Sequence, residues 1–99
     1  MHKLFALYKK PDDVEAFMRY YEETHIPLVE KVPGLAAARV NRVTADPFGG
    51  EPAYFLIAEL CFPDKATFDA AMASPENKAV GQDLANFAKG LVTLVIAEE

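Results

Sequence analysis

Ala53-Tyr54-Phe55-Leu56-Ile57-Ala58-Glu59-Leu60-Cys61-Phe62 is a run of aromatic and aliphatic residues closed by Pro63, and it reads as a β-strand. A period of two puts Tyr54, Leu56, Ala58, Leu60 and Phe62 on one side and Phe55, Ile57, Glu59 and Cys61 on the other. A strand with helices on one face and water on the other alternates apolar with polar. This one is apolar on both sides apart from Glu59, so both faces of its sheet must be covered.

The neighbouring segments extend the same picture. Lys3 to Tyr8 is a short apolar run that stops at Lys9-Lys10-Pro11, a strand ending in a turn. Asp12 and Glu15 have the D-x-x-E spacing of a helix cap and its reciprocal partner. Val14, Phe17, Met18 and Tyr21 follow at i, i+3, i+4 and i+7, the stripe of an amphipathic helix that reaches His25 one turn later. Pro27 removes a donor and disfavours helical angles at Ile26, so the regular helix is predicted to end or kink between Thr24 and Ile26.

Val32-Pro33-Gly34 turns the chain into a strand over Leu35 to Thr44, and Ala45 to Pro52 is dense in turn formers. Beyond Phe62, Pro63-Asp64 opens a helix with Phe68, Ala71 and Met72 on its buried stripe. Ser74 caps a further helix that has Pro75 at its first position and Val80, Leu84 and Phe87 on its stripe. Gly90 ends it, and Leu91 to Ala97, apolar on both sides, is the last strand.

The order β, α, β, β, α in two pieces, β predicts one α+β domain over 1–99. It is the ferredoxin-like arrangement, a four-stranded antiparallel sheet with helices on one face. At 99 residues nothing remains in the chain to cover the other face. A second copy, packed sheet face to sheet face about a two-fold axis, is the economical cover. Two sheets meeting this way form a barrel whose interior can hold a small ligand.

Composition removes several functions. A net charge of −5, with Lys and Arg scattered, argues against nucleic-acid binding. Cys61 is the sole cysteine, which fits a reducing cytoplasm and leaves no intrachain disulfide and no cysteine-based zinc site. With only His2 and His25 beside it, neither a metal nor another cofactor is expected. Met1 to Tyr8 lacks the pattern of a signal peptide, and no apolar run approaches the roughly 20 residues of a membrane span.

His25 is the leading candidate for chemistry, an imidazole on an apolar stripe at a break in the chain. At a helix C-terminus its charged form is favoured, which suits either proton transfer or plain capping of the carbonyls. Glu59, a charge in the middle of an apolar strand, needs a partner, and Arg39 in the preceding strand can supply it. That pair reads as a structural ion pair at the dimer interface or as part of a ligand site. Tyr8, Tyr21 and Tyr54 have hydroxyls that a ligand can use, or that reach the surface from the core.

Three segments together carry a family resemblance: Leu7-Tyr8-Lys9-Lys10-Pro11, Tyr21-Glu22-Glu23-Thr24-His25-Ile26-Pro27-Leu28, and Val32-Pro33-Gly34-Leu35 opening a strand with Val40-Asn41-Arg42-Val43. Over essentially its whole length the chain resembles the EthD family of the dimeric α/β-barrel superfamily, and His25-Ile26-Pro27 is the most distinctive piece. The resemblance implies a homodimeric barrel of ferredoxin-like subunits and a pocket between sheet and helices near that segment. It implies no single reaction, because the superfamily includes cofactor-free monooxygenases, isomerases and haem-handling proteins.

Two functional expectations follow. One is a metal-free oxidoreductase, isomerase or lyase acting on a small, largely apolar or aromatic molecule. His25 would serve as its acid or base, and Tyr8, Tyr21, Arg39, Tyr54 and Glu59 as its ligand-binding residues. The other is a non-catalytic ligand-binding or accessory module of a degradation pathway that uses the same pocket.

Overall fold

Four strands account for 27 of the 99 residues that the computed structural model describes: β1 (His2–Tyr8), β2 (Ala37–Arg42), β3 (Leu56–Phe62) and β4 (Val92–Glu98), lengths 7, 6, 7 and 7. They form one sheet in the order β2-β3-β1-β4, with every neighbouring pair antiparallel. The helical segments between them pack on one face of this sheet, so the architecture is the predicted ferredoxin-like α+β fold. No helix is long and apolar enough to cross a membrane.

The register determines which side chains share a face. Leu4 pairs with Leu60 and Ile96, Ala6 with Ala58 and Leu94, and Tyr8 with Leu56 and Val92. Directly opposed residues lie on the same side, so these even-numbered positions make up the helix side. Phe5, opposite Glu59 and Val95, and Leu7, opposite Ile57 and Thr93, lie on the open side.

Phe55 departs from the expected alternation. It precedes the regular part of β3, and its ring meets Phe17 edge-on, 6.3 Å between centroids. It is therefore buried in the helix-side core beside Leu56 and away from Ile57 and Glu59.

The helices cover the two central strands and little of the edges. On the helix side Val40 of β2 is 44% exposed, and Leu94 and Ile96 of β4 are 49% and 62% exposed. Uncovered apolar surface thus lies on the open face and also along both edges of the helix face.

Asp13, one residue later than expected, is the first helix cap: its carboxylate accepts the Ala16 amide at 3.0 Å. The helix α1 (Val14–Tyr20) then widens into a π-helical turn, Tyr21–His25, and tightens again into α2 (Ile26–Val29). The chain therefore leaves regular α geometry earlier than predicted, yet it does not stop there. In an unbroken α-helix the Pro27 ring would meet the carbonyl four residues back. A π turn, in which the Ile26 amide donates to the Tyr21 carbonyl five residues back, stands immediately before Pro27.

Asp64 caps α3 (Lys65–Met72) by accepting the Thr67 amide at 2.8 Å, which holds its carboxyl below the usual range. Ser74 caps α4 (Pro75–Phe87) through the Asn77 amide. Gly34 has φ +79°, and a Cβ added there would collide with the Thr67 methyl, so only glycine lets the turn into β2 pass α3.

Candidate functional site

The stripes of α1 and α4 meet over the centre of the sheet. Tyr8, Phe17, Tyr21 and Phe87 form one aromatic cluster with centroids 5.4–6.3 Å apart. The π turn follows Tyr20 directly and carries His25 into this cluster, where its ring lies 4.7 Å from Phe87 and 5.6 Å from Tyr21. His25 is 3% exposed, so it lies inside the protein and not at an open helix end.

A buried imidazole needs a partner, and α4 provides one. His25 Nδ1 is 2.8 Å from Asp83 Oδ2. A carboxylate only accepts, so Nδ1–H donates and, in the neutral ring, Nε2 is left as the acceptor. Asp83 Oδ1 accepts a hydrogen bond from the Tyr20 hydroxyl, and that hydroxyl accepts one from Asn86 Nδ2 at 3.1 Å. Burial holds the His25 pKa below its ordinary value, and the hydrogen bond and charge of Asp83 only partly oppose this. The charged form favoured by a free helix C-terminus is thus not the favoured form here.

His25 lines a cavity of about 40 Å³ between sheet and helices. Its walls include Ala6, Ala58, Leu60, Val80 and Leu84, with Tyr8 and Tyr21 beside the imidazole. Nε2 makes no hydrogen bond to protein, nor do the hydroxyls of Tyr8 and Tyr21. Burial pushes the Tyr21 phenol up to about 12. Tyr8 is raised further, chiefly by burial, with the Asp83 carboxylate adding to it. The site therefore presents neutral hydrogen-bonding groups on an apolar wall.

This space is on the helix side of the sheet, where the family resemblance put it, and not in a barrel between two sheets. It has room for a few waters and is smaller than the roughly 150 Å³ apolar cavity known to admit benzene. A larger molecule must displace lining side chains, and the lining reaches the surface at two edges of the sheet, at Ala38 of β2 and at the half-exposed Leu94 of β4.

The other sequence candidates are elsewhere. Arg39 and Glu59 lie on the open face, joined at 2.7 Å, with Lys3 3.7 Å from the second Glu59 oxygen. Cys61 completes this group: its thiol donates to Glu59 at 3.2 Å and accepts from Arg39 at 3.4 Å. The Cys61 and Arg39 hydrogen bonds hold the Glu59 carboxyl below its usual value, while burial pushes the Cys61 thiol up. Tyr54 borders a separate open groove with Lys10, Arg42 and Thr44. Of the six candidates, Tyr8, Tyr21 and His25 meet at the cavity, and Arg39 and Glu59 meet on the opposite face.

Asp83 and Tyr20 are absent from the sequence reading. Asp83 had a signal: Val80, Asp83, Leu84 and Phe87 fall at i, i+3, i+4 and i+7, which puts a carboxylate on a buried stripe.

Comparison with known proteins agrees with this architecture. The EthD domain matches residues 9–90. An uncharacterized 11.0 kDa protein from the thcB-thcC intergenic region of Rhodococcus erythropolis is 34% identical over 102 residues, covering 100% of this chain and 95% of that protein. The crystal structure of an ethyl tert-butyl ether degradation (EthD) family protein from Bacillus halodurans superposes with a TM-score of 0.94 at 42% identity, over 100% of this chain and 98% of that one. A dimeric ferredoxin-like protein of unknown function from Jannaschia shares the fold, with a TM-score of 0.73 at 18% identity over 99% and 98% of the two chains. The chain is a member of the EthD domain family.

Proposed function

We propose that this chain works as a homodimer, sheet face to sheet face, and that each subunit takes a small, largely apolar molecule into the cavity beside His25. There the imidazole acts as acid or base. The observation that carries the reading is the buried His25–Asp83 pair, which leaves Nε2 free at an otherwise apolar wall. Depression of the His25 pKa keeps the ring neutral near pH 7 and ready to accept a proton. The open hydroxyls of Tyr8 and Tyr21 can donate to an oxygen of the ligand.

Reactions that begin by moving a proton are within reach of this set: isomerase and lyase chemistry, and oxidoreductase chemistry that starts from a deprotonated substrate. The exposed Val95, on the open face of the sheet, supports the dimer, and the free Cys61 thiol suits a cytoplasmic location. The small cavity favours a second reading, a module that holds a compound without turning it over.

Deuterium incorporation separates the two. A panel of small neutral ketones and lactones is incubated with the protein in deuterated water. Exchange at carbon that falls by about 100-fold or more in His25→Ala supports the acid-base role. Exchange unchanged in His25→Ala removes that role, and retention of a compound without exchange favours the binding module.

A further inference from the structure

Asp83 is held from two sides. Oδ2 faces His25 deep in the core, while Oδ1 accepts the hydroxyl of Tyr20, which in turn accepts Asn86 Nδ2–H. Tyr20 and Asn86 lie toward the surface, and neither lines the cavity. Tyr20 is nonetheless fixed in place, because its ring packs 5.1 Å from Phe87, the same side chain that contacts His25. A hydroxyl donating to one carboxylate oxygen withdraws charge from the whole group. The Tyr20 hydroxyl thereby governs how much negative charge Asp83 presents to the imidazole.

We infer that Tyr20 is a positioning residue for His25: its hydrogen bond to Asp83, supported by Asn86, draws charge from the carboxylate and so sets the basicity of the imidazole from outside the cavity. The inference rests on the reading of His25 as the proton-exchanging group. The ionisable groups facing His25 are few: Asp83 from α4, Tyr8 from β1, and Tyr20 and Tyr21 from its own helical run. From β3 the cavity receives only Ala58 and Leu60. Asp83 is the single carboxylate among them, so a change in how it is satisfied acts on His25 without competition from another charge.

The effect has a definite sign. Without the Tyr20 hydroxyl, Asp83 keeps more of its charge and stabilises the imidazolium better, so the His25 pKa rises. Without Asn86, the Tyr20 hydroxyl remains but is a weaker donor, so the rise is smaller. Tyr20→Phe keeps the ring and its packing, and Asn86→Ala is an exposed change, which makes both suitable for comparison.

The experiment is a proton NMR titration of the His25 ring in the full chain, in wild type, Asn86→Ala and Tyr20→Phe. The expected order of pKa is wild type lowest, Asn86→Ala next and Tyr20→Phe highest, the last raised by roughly half a unit to one unit. Equal values in all three, or a fall in Tyr20→Phe, would overturn the positioning role. That result leaves the His25 reading standing, since deuterium exchange tests it separately. If Tyr20→Phe does not fold, the wild-type and Asn86→Ala values decide alone, a rise supporting the inference and equality overturning it.

Discussion

At the scale of single residues, the protein places an imidazole where water would otherwise hold its charge. Burial lowers the His25 pKa, so the folded state resists a proton that the unfolded chain accepts at about 6.5. The contribution to stability is therefore complete above pH 6.5 and is lost as pH falls through that value toward the lower folded one. Urea unfolding at pH 7.5 and pH 5.5 should show lower stability at the acid value, and His25→Gln should flatten this slope. Asp83→Asn removes the only group opposing the shift, so in that variant the imidazole should titrate lower still in the NMR experiment. A titration unchanged in Asp83→Asn would mean that the 2.8 Å contact carries no charge interaction.

His25 was legible in the sequence because an apolar stripe ran straight into it. Its partner was harder to see, since residues 25 and 83 meet only after α4 folds over the sheet, 58 positions later. Arg39 and Glu59 were legible as a pair through neighbouring strands. Their distance from the cavity was not, because a period of two shows that residues share a face without showing which face the helices cover.

At the scale of elements, caps and turns hold the framework. Ser74→Ala removes the acceptor of the Asn77 amide at the start of α4 and should cost about 1 kcal/mol in urea unfolding. Gly34→Ala should cost roughly 1–3 kcal/mol in the same measurement, because the new methyl meets Thr67 and the backbone must hold a positive φ. A Gly34→Ala protein as stable as wild type would show that this turn has freedom the packing denies. The succession of strands and helices along the chain and the stripes of three helices were readable from periodicity. The π turn was not, because Pro27 signals a break without saying whether the helix ends or widens.

At the scale of the whole molecule, β3 has two largely apolar faces to cover. The helices bury one face over β1 and β3, while Phe5, Leu7, Ile57 and Val95 remain on the other, around the Arg39–Glu59 pair. A second copy covering this surface would bring Ile57 into the interface, so Ile57→Asp should dissociate the pair, read as a halved mass by light scattering. The measurement that tests the account most directly is non-denaturing mass spectrometry of the purified protein after exposure to the ketone and lactone panel. The account predicts a pair of chains carrying a small-molecule adduct that is lost from His25→Ala. A stable monomer, or an adduct indifferent to His25, would contradict it.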